Sequence, residues 1–85
     1  EASYSIVAEP SIVNQGSDFT VVVSGVEPEQ LKNARIVVYR NDGVVVNILD
    51  DVETENEMHL AAIGDYVIVL TVNDGKNANC KVLIK

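Results

Sequence analysis

The densest group of side chains that could bind a ligand is the acidic stretch at residues 50–57. Its carboxylate and amide side chains are those of Asp50, Asp51, Glu53, Glu55, Asn56 and Glu57. Carboxylate and amide oxygens are the ligands that Ca²⁺ prefers, but an EF-hand loop also requires a central glycine and a distal glutamate at fixed positions. The stretch lacks that spacing. A solvated acidic loop or weak edge strand is therefore favoured, with Asp50, Asp51, Glu53 and Glu55 as candidate Ca²⁺ ligands.

Cys80 and His59 are the remaining residues of types common in catalysis. A nucleophile needs a base within hydrogen-bond reach and a third group that orients the base. Cys80 alternates with Ala78 and Val82 on the same side of its strand, which predicts a buried structural cysteine. His59 comes shortly after the acidic stretch. We expect His59 at a strand edge, near carboxylates such as Glu57. The sequence contains no glycine-rich phosphate motif, so we predict no enzymatic activity and no cofactor.

Length and charge restrict the partners of the chain. With 85 residues it forms one domain, residues 1–85, and its 13 acidic and 6 basic residues give a formal charge of −7. This charge repels phosphate backbones and anionic lipids, so we expect neither nucleic-acid binding nor membrane insertion. No apolar run reaches the roughly 20 residues that span a bilayer, and the first residues lack the pattern of a signal peptide. We expect a module excised from a larger protein.

The tripeptide Asn-Asp-Gly occurs at 41–43 and at 73–75, each time between two runs that have the pattern of strands. Asn and Asp suit the helical positions of a tight turn, and Gly takes the positive φ that follows. Each tripeptide therefore predicts a β-hairpin whose register follows by counting. The predicted pairs are Arg40 with Val44, Val38 with Val46, Ile36 with Ile48, Val72 with Lys76, Leu70 with Ala78, Ile68 with Cys80, and Tyr66 with Val82.

The rest of the chain also alternates with the period of β-strands. Phe19, Val21 and Val23 share one face of a central strand, and Pro10 interrupts an earlier strand, as on edge strands that change sheets. Residues 25–33 predict a loop with one helical turn around Leu31. About seven short strands joined by turns indicate an all-β, antiparallel sandwich, with a closed barrel as the alternative.

Three segments carry a family resemblance: Pro10-Ser11, the run from Asn14 to Val21, and the run from Gly64 to Gly75. Together they resemble bacterial and phage immunoglobulin-like domains. The resemblance implies an immunoglobulin-like sandwich with Greek-key connections. The chain departs from antibody domains because it lacks their cysteine pair and core tryptophan. Tyr66 is a candidate for the tyrosine corner, in which a phenol hydroxyl bonds to a loop backbone.

The predicted registers turn many apolar side chains away from the core. These residues are Val37, Tyr39, Val45, Leu49, Val67, Val69 and Leu83, interspersed with Asn47, Thr71, Asn79 and Lys81. Strand propensity alone accounts for some exposed β-branched residues. A contiguous apolar patch instead marks a contact surface. Our candidate protein-contact face consists of Val37, Tyr39, Val67, Val69 and Leu83.

The resemblance implies a noncatalytic structural or adhesive module that spaces or displays binding domains on a microbial cell-surface protein. Its expected partners are neighbouring domains, another protein, or a cell-surface ligand or glycan. One alternative is a decoration domain on a phage capsid or tail, which the unpaired Cys80 favours because such proteins fold in a reducing cytoplasm. A second alternative is a carbohydrate-binding module, but its sugar platform needs exposed aromatic rings. The only aromatic residues are Tyr4, Phe19, Tyr39 and Tyr66.

Overall fold

A computed structural model of the chain describes residues 4–72, 75 and 77–85. These residues form eight strands and one short helix. In chain order the elements are β1 (Ser5–Glu9), β2 (Ile12–Val13), β3 (Asp18–Ser24), α1 (Pro28–Leu31), β4 (Arg35–Arg40), β5 (Val45–Leu49), β6 (Glu55–His59), β7 (Gly64–Thr71) and β8 (Asn77–Ile84).

The strands form two sheets that share one hydrophobic core. The smaller sheet has the order β1-β3-β6, and the larger has the order β2-β8-β7-β4-β5. Phe19 and Val21 from the smaller sheet and Ile36, Ile68 and Ile84 from the larger sheet are all at most 2% exposed. The predicted all-β class is confirmed. Two details differ from the prediction: there are eight strands, and β2 pairs with β8 in parallel.

Alternation along the strands explains why both sheets bury one face. In β3, Phe19, Val21 and Val23 are buried, while the residues between them are at least partly exposed. In β4, Ile36 and Val38 are buried in the same way. Successive strand residues point to opposite sides of a sheet, so this period of two places one apolar set in the core.

The chain changes sheets at Pro10, as the sequence predicted. β1 pairs antiparallel with β3 in the smaller sheet, and β2 pairs with β8 in the larger one. Proline has no backbone N–H and cannot continue a ladder of hydrogen bonds. The predicted single helical turn is also present as α1, which begins at Pro28, a favoured residue for the first turn of a helix.

The second hairpin has the predicted register. Leu70 pairs with Ala78, Ile68 with Cys80, and Tyr66 with Val82. The Gly75 N–H donates to the Val72 carbonyl at 2.9 Å, and Gly75 has a φ of +87°. The predicted loop residues Asn73 and Asp74, and the predicted partner of Val72, Lys76, lie outside the described residues.

The first hairpin begins as predicted and then shifts by one residue. The Arg40 N–H donates to the Val44 carbonyl at 2.8 Å, but Val38 pairs with Asn47 and Ile36 with Leu49. The predicted pairs of Val38 with Val46 and of Ile36 with Ile48 are therefore wrong. A bulge inserts Val46 as an extra residue between Val45, the partner of Tyr39, and Asn47, the partner of Val38. After the bulge, each side chain of β5 points to the side of the sheet opposite to the one predicted.

Gly75→Ala is expected to lower the free energy of unfolding by about 1 kcal/mol or more. No atom lies within 4 Å of the position that a Cβ would take at Gly75, so the cost comes from its φ of +87° alone. Urea unfolding measures the change. Gly75→Asn is the matched control and should cost less, because Asn tolerates positive φ. Equal midpoints for Gly75→Ala and the wild type would contradict the role of the turn.

Candidate functional site

The five residues of the predicted contact face lie together on the outward side of the larger sheet. On adjacent strands, Val37 pairs with Val69 and Tyr39 pairs with Val67, while Leu83 lies one strand further along on β8. All five side chains are partly exposed, whereas the residues that alternate with them in β4 and β7 are buried. We call this set the outer apolar face. The structure thus brings together residues that lie up to 46 positions apart in the sequence.

Further apolar residues extend this face at both sides. Ile12 is 54% exposed and lies beside Leu83, and Ile48 is 52% exposed and lies beside Val37. Sequence reasoning missed Ile12, although its position next to the buried Val13 was a signal for an outward side chain. It also placed Ile48 inward and Leu49 outward. The bulge at Val46 reverses both assignments, so Leu49 packs against the core.

Polar residues border the outer apolar face. Lys81 lies opposite Val67, Asn79 opposite Val69, and Asp65 opposite Leu83. A surface depression beside this border is lined by Ser11, Asn41, Asp65, Tyr66, Val67, Lys81, Val82 and Leu83. An apolar surface bordered by polar groups is the usual anatomy of a protein-contact site.

The four candidate Ca²⁺ ligands do not form a shared site. Across the described ranges 4–72, 75 and 77–85, no group of three or more His, Cys, Asp or Glu side chains is arranged to hold a metal ion. Asp50 instead accepts a hydrogen bond from the Arg35 guanidinium at 2.6 Å. Glu55 is an exposed residue of β6, while Asp51 and Glu53 precede that strand.

Asn56, which the sequence grouped with the acidic candidates, is a buried structural residue. Its side chain is only 5% exposed. The amide oxygen accepts from the Glu53 N–H at 2.8 Å, and the amide nitrogen donates to the Glu53 carbonyl at 2.7 Å and the Val21 carbonyl at 3.3 Å. The alternation of Asn56, Met58 and Leu60 with polar residues was the signal for this inward position.

Cys80 lies on the inward side of β8, opposite Ile68, and packs against the core. It is partly rather than fully buried, which corrects the predicted complete burial. Burial raises the pKa of the Cys80 thiol, and a backbone hydrogen bond involving Ala8 opposes that rise.

Native Cys80 is expected to react slowly with a thiol reagent at pH 8, at least about tenfold more slowly than in denaturant, because burial limits access and thiolate formation. The readout is the rate of colour release from a disulfide reagent. Asn79→Cys in a Cys80→Ala background is the matched control, since Asn79 is an exposed neighbour on the same strand. Equal native rates for the two thiols would contradict the inward position of Cys80.

His59 lies at the edge of the smaller sheet, as expected for its position. Its ring nitrogen Nδ1 is 2.8 Å from a carboxylate oxygen of Asp18, which lies opposite His59 on β3. Both side chains are about half exposed to solvent. Cys80 belongs to the larger sheet. The two residues considered for catalysis therefore lie on strands of different sheets.

The aromatic residues do not form an exposed platform. Phe19 and Tyr66 are 2% and 4% exposed, which confirms that both belong to the core. The Tyr66 hydroxyl donates to the Ala62 carbonyl at 2.7 Å, the bond expected of a tyrosine corner. Tyr4 is partly buried, and its hydroxyl accepts from the Gln30 amide at 3.1 Å. Of the four aromatic residues, only Tyr39 lies on the outer apolar face.

No described helix has the length and apolar character needed to cross a bilayer. Comparison of the chain with protein-family models gives no match, and a search of curated proteins gives none either.

Proposed function

We propose that this chain is a noncatalytic immunoglobulin-like module of a microbial surface protein, which docks on a neighbouring domain through the outer apolar face. The order of the strands supports the immunoglobulin-like part of the proposal. Immunoglobulin domains place their second and fifth strands in one sheet and their third, sixth and seventh strands in the other. With β1 and β2 taken as a divided first strand, β3 and β6 occupy the first set of positions, and β4, β7 and β8 occupy the second.

The bond between Tyr66 and Ala62 supports the same proposal. Immunoglobulin-like domains tie the loop that precedes the penultimate strand to a tyrosine near the start of that strand. Tyr66 is the third residue of β7, and its hydroxyl reaches the backbone four positions upstream. The observation that carries the docking function is the direct pairing of Val37 with Val69 and of Tyr39 with Val67 on the outward side of β4 and β7. A domain used only as a spacer has no need of such a surface.

Docking predicts that Tyr39 is protected in the full-length protein. Hydroxyl-radical footprinting should modify Tyr39 more slowly in the full-length protein than in the isolated domain, because a neighbour covers the outer apolar face. His59 provides an internal reference, since it is exposed on the other sheet. Equal modification of Tyr39 in both proteins would contradict docking and would favour a spacer.

A paired set of variants makes the test specific. Val67→Thr combined with Val69→Thr should keep the domain folded, with a change in stability of about 1 kcal/mol or less per site, because Thr retains the β-branch. In the full-length protein this double variant should raise the modification rate of Tyr39 to that of the isolated domain. Val7→Thr combined with Val22→Thr is the matched control, because these two residues pair on the outward side of the smaller sheet.

A further inference from the structure

The four edge strands of the two sheets differ in how well they are protected against pairing with a strand of another molecule. Exposed sheet edges are usually protected by short length, by proline or by charge. Here β2 has only two residues, β1 is followed by Pro10, and β6 carries Glu55 and Glu57. The fourth edge strand, β5, has none of these three features, and its only edge irregularity is the bulge at Val46. The run 44–49 contains no charged residue, proline or glycine.

Apart from Leu49, which packs against the core, the side chains of this run are exposed. Val44 and Val45 are each 47% exposed, Val46 is 40% exposed and Ile48 is 52% exposed. Among the described residues, β5 pairs only with β4. Its outer edge therefore presents backbone donors and acceptors between apolar side chains, which is the template for adding a strand.

The sequence of β5 is self-complementary. Apolar residues flank Asn47 on both sides, with Val46 before it and Ile48 after it. In an antiparallel pair of identical strands centred on Asn47, each Val46 lies opposite Ile48 of the second copy. The two Asn47 amides lie opposite each other, and each amide has both a donor and an acceptor.

The ion pairs that flank β5 reduce the charge repulsion between two copies of this strand. Asp42 is bound to Arg40 at 2.7 Å, and Asp50 is bound to Arg35 at 2.6 Å. The Arg40–Asp42 pair leaves the N-terminal end of the strand without net charge, and the Arg35–Asp50 pair offsets one of the two adjacent carboxylates, Asp50 and Asp51, at the other end. Like charges on opposite strands destabilise a pair, and β5 avoids that repulsion where the acidic β6 would not.

We propose that β5 pairs antiparallel with β5 of a second copy, forming one continuous sheet with five strands from each copy. The bulge at Val46 limits the regular pairing to a short segment around Asn47. The interface is correspondingly small, and the dimer is reversible. Salt strengthens it, because salt screens the repulsion between two acidic chains.

Sedimentation velocity from about 10 μM to about 1 mM protein tests the proposal, since reversible dimers in this affinity range change their mass over it. The wild type should form dimers reversibly, and Ile48→Lys should raise the dissociation constant by at least about tenfold because it places a charge at the pairing edge. Ile63→Lys is the matched control at an isoleucine that is 64% exposed outside β5. A monomeric wild type throughout this range, or an equal effect of both variants, would overturn the proposal.

Disulfide capture tests the register. In a Cys80→Ser background, Asn47→Cys should give a disulfide-linked dimer on mild oxidation, because opposite residues in antiparallel strands have Cβ atoms about 4.5–5.5 Å apart, close to disulfide range. Ile63→Cys in the same background should link much more slowly. Equal rates would mean random collision and would reject the β5 pairing. The Val67→Thr and Val69→Thr double variant should leave this dimer unchanged, which separates it from docking through the outer apolar face.

Discussion

Asn56→Ala is expected to lower the free energy of unfolding by about 2–4 kcal/mol, because each buried polar group left without a partner costs roughly 1–3 kcal/mol. The Asn56 amide bonds the backbone of Glu53 in both directions and also reaches the Val21 carbonyl. Alanine removes all three contacts at a site that is only 5% exposed. Urea unfolding monitored by tyrosine fluorescence measures the loss.

Two further variants identify the cause of this loss. Asn79→Ala is the matched control at an exposed asparagine and should change stability by about 0.5 kcal/mol or less. Asn56→Asp keeps an acceptor for the Glu53 N–H, but its charged form has no donor for the two carbonyls. Burial favours the neutral acid, so the folded state binds the extra proton and stability falls as the pH rises through the titration of this carboxyl. A pH-independent loss for Asn56→Asp would contradict the donor role of the amide.

Ile68→Ala is expected to cost about 2–5 kcal/mol, the usual range for truncating a buried isoleucine. Ile68 is 0% exposed at the centre of β7, where it pairs with Val38 on one side and Cys80 on the other. A domain of this size has a total stability of only about 5–15 kcal/mol, so this change removes a large share of it. Thermal and urea unfolding both report the effect.

Val69→Ala is the matched control for Ile68, because it is the next residue of β7 and lies on the outer apolar face. It should cost about 1 kcal/mol or less, mainly through strand propensity. A larger loss for Val69→Ala than for Ile68→Ala would mean that the inward and outward sides of the larger sheet are reversed. The same outcome would remove the outer apolar face from which docking is proposed.

The two hairpins show why register was predictable in one case and not in the other. Gly75 ends a tight turn, and the described pairs from Thr71 with Asn77 to Gly64 with Ile84 keep one register, so counting from the turn gave the correct partner of Ile68. Gly43 ends a similar turn, but the bulge at Val46 shifts every later pair by one residue. A bulge of this kind has no clear local signal. Because β5 is an edge strand with little buried surface, its alternation did not reveal which side faces the core.

The sequence predicted the residues that define the outer apolar face but not how far the apolar surface extends beyond them. Alternation along single strands identified Val37, Val67 and Leu83 as outward residues. Only the pairing of β4 with β7 places Val37 beside Val69 and Tyr39 beside Val67, and only the pairing of β2 with β8 places Ile12 beside Leu83. Asn56 was misassigned for a related reason. Its acidic neighbours dominate the local composition, whereas its buried bond to Val21 joins residues 35 positions apart.

By itself the sequence determined the all-β class, the turns at Gly43 and Gly75, the break at Pro10 and the apolar side of most strands. These features depend on local backbone preferences and on a period of two residues, which can be read along the chain. The tertiary structure alone decided which strands share a sheet, why Cys80 is only partly covered and why β5 is an open edge. Those outcomes depend on contacts between residues that lie far apart in the chain, which no local pattern specifies.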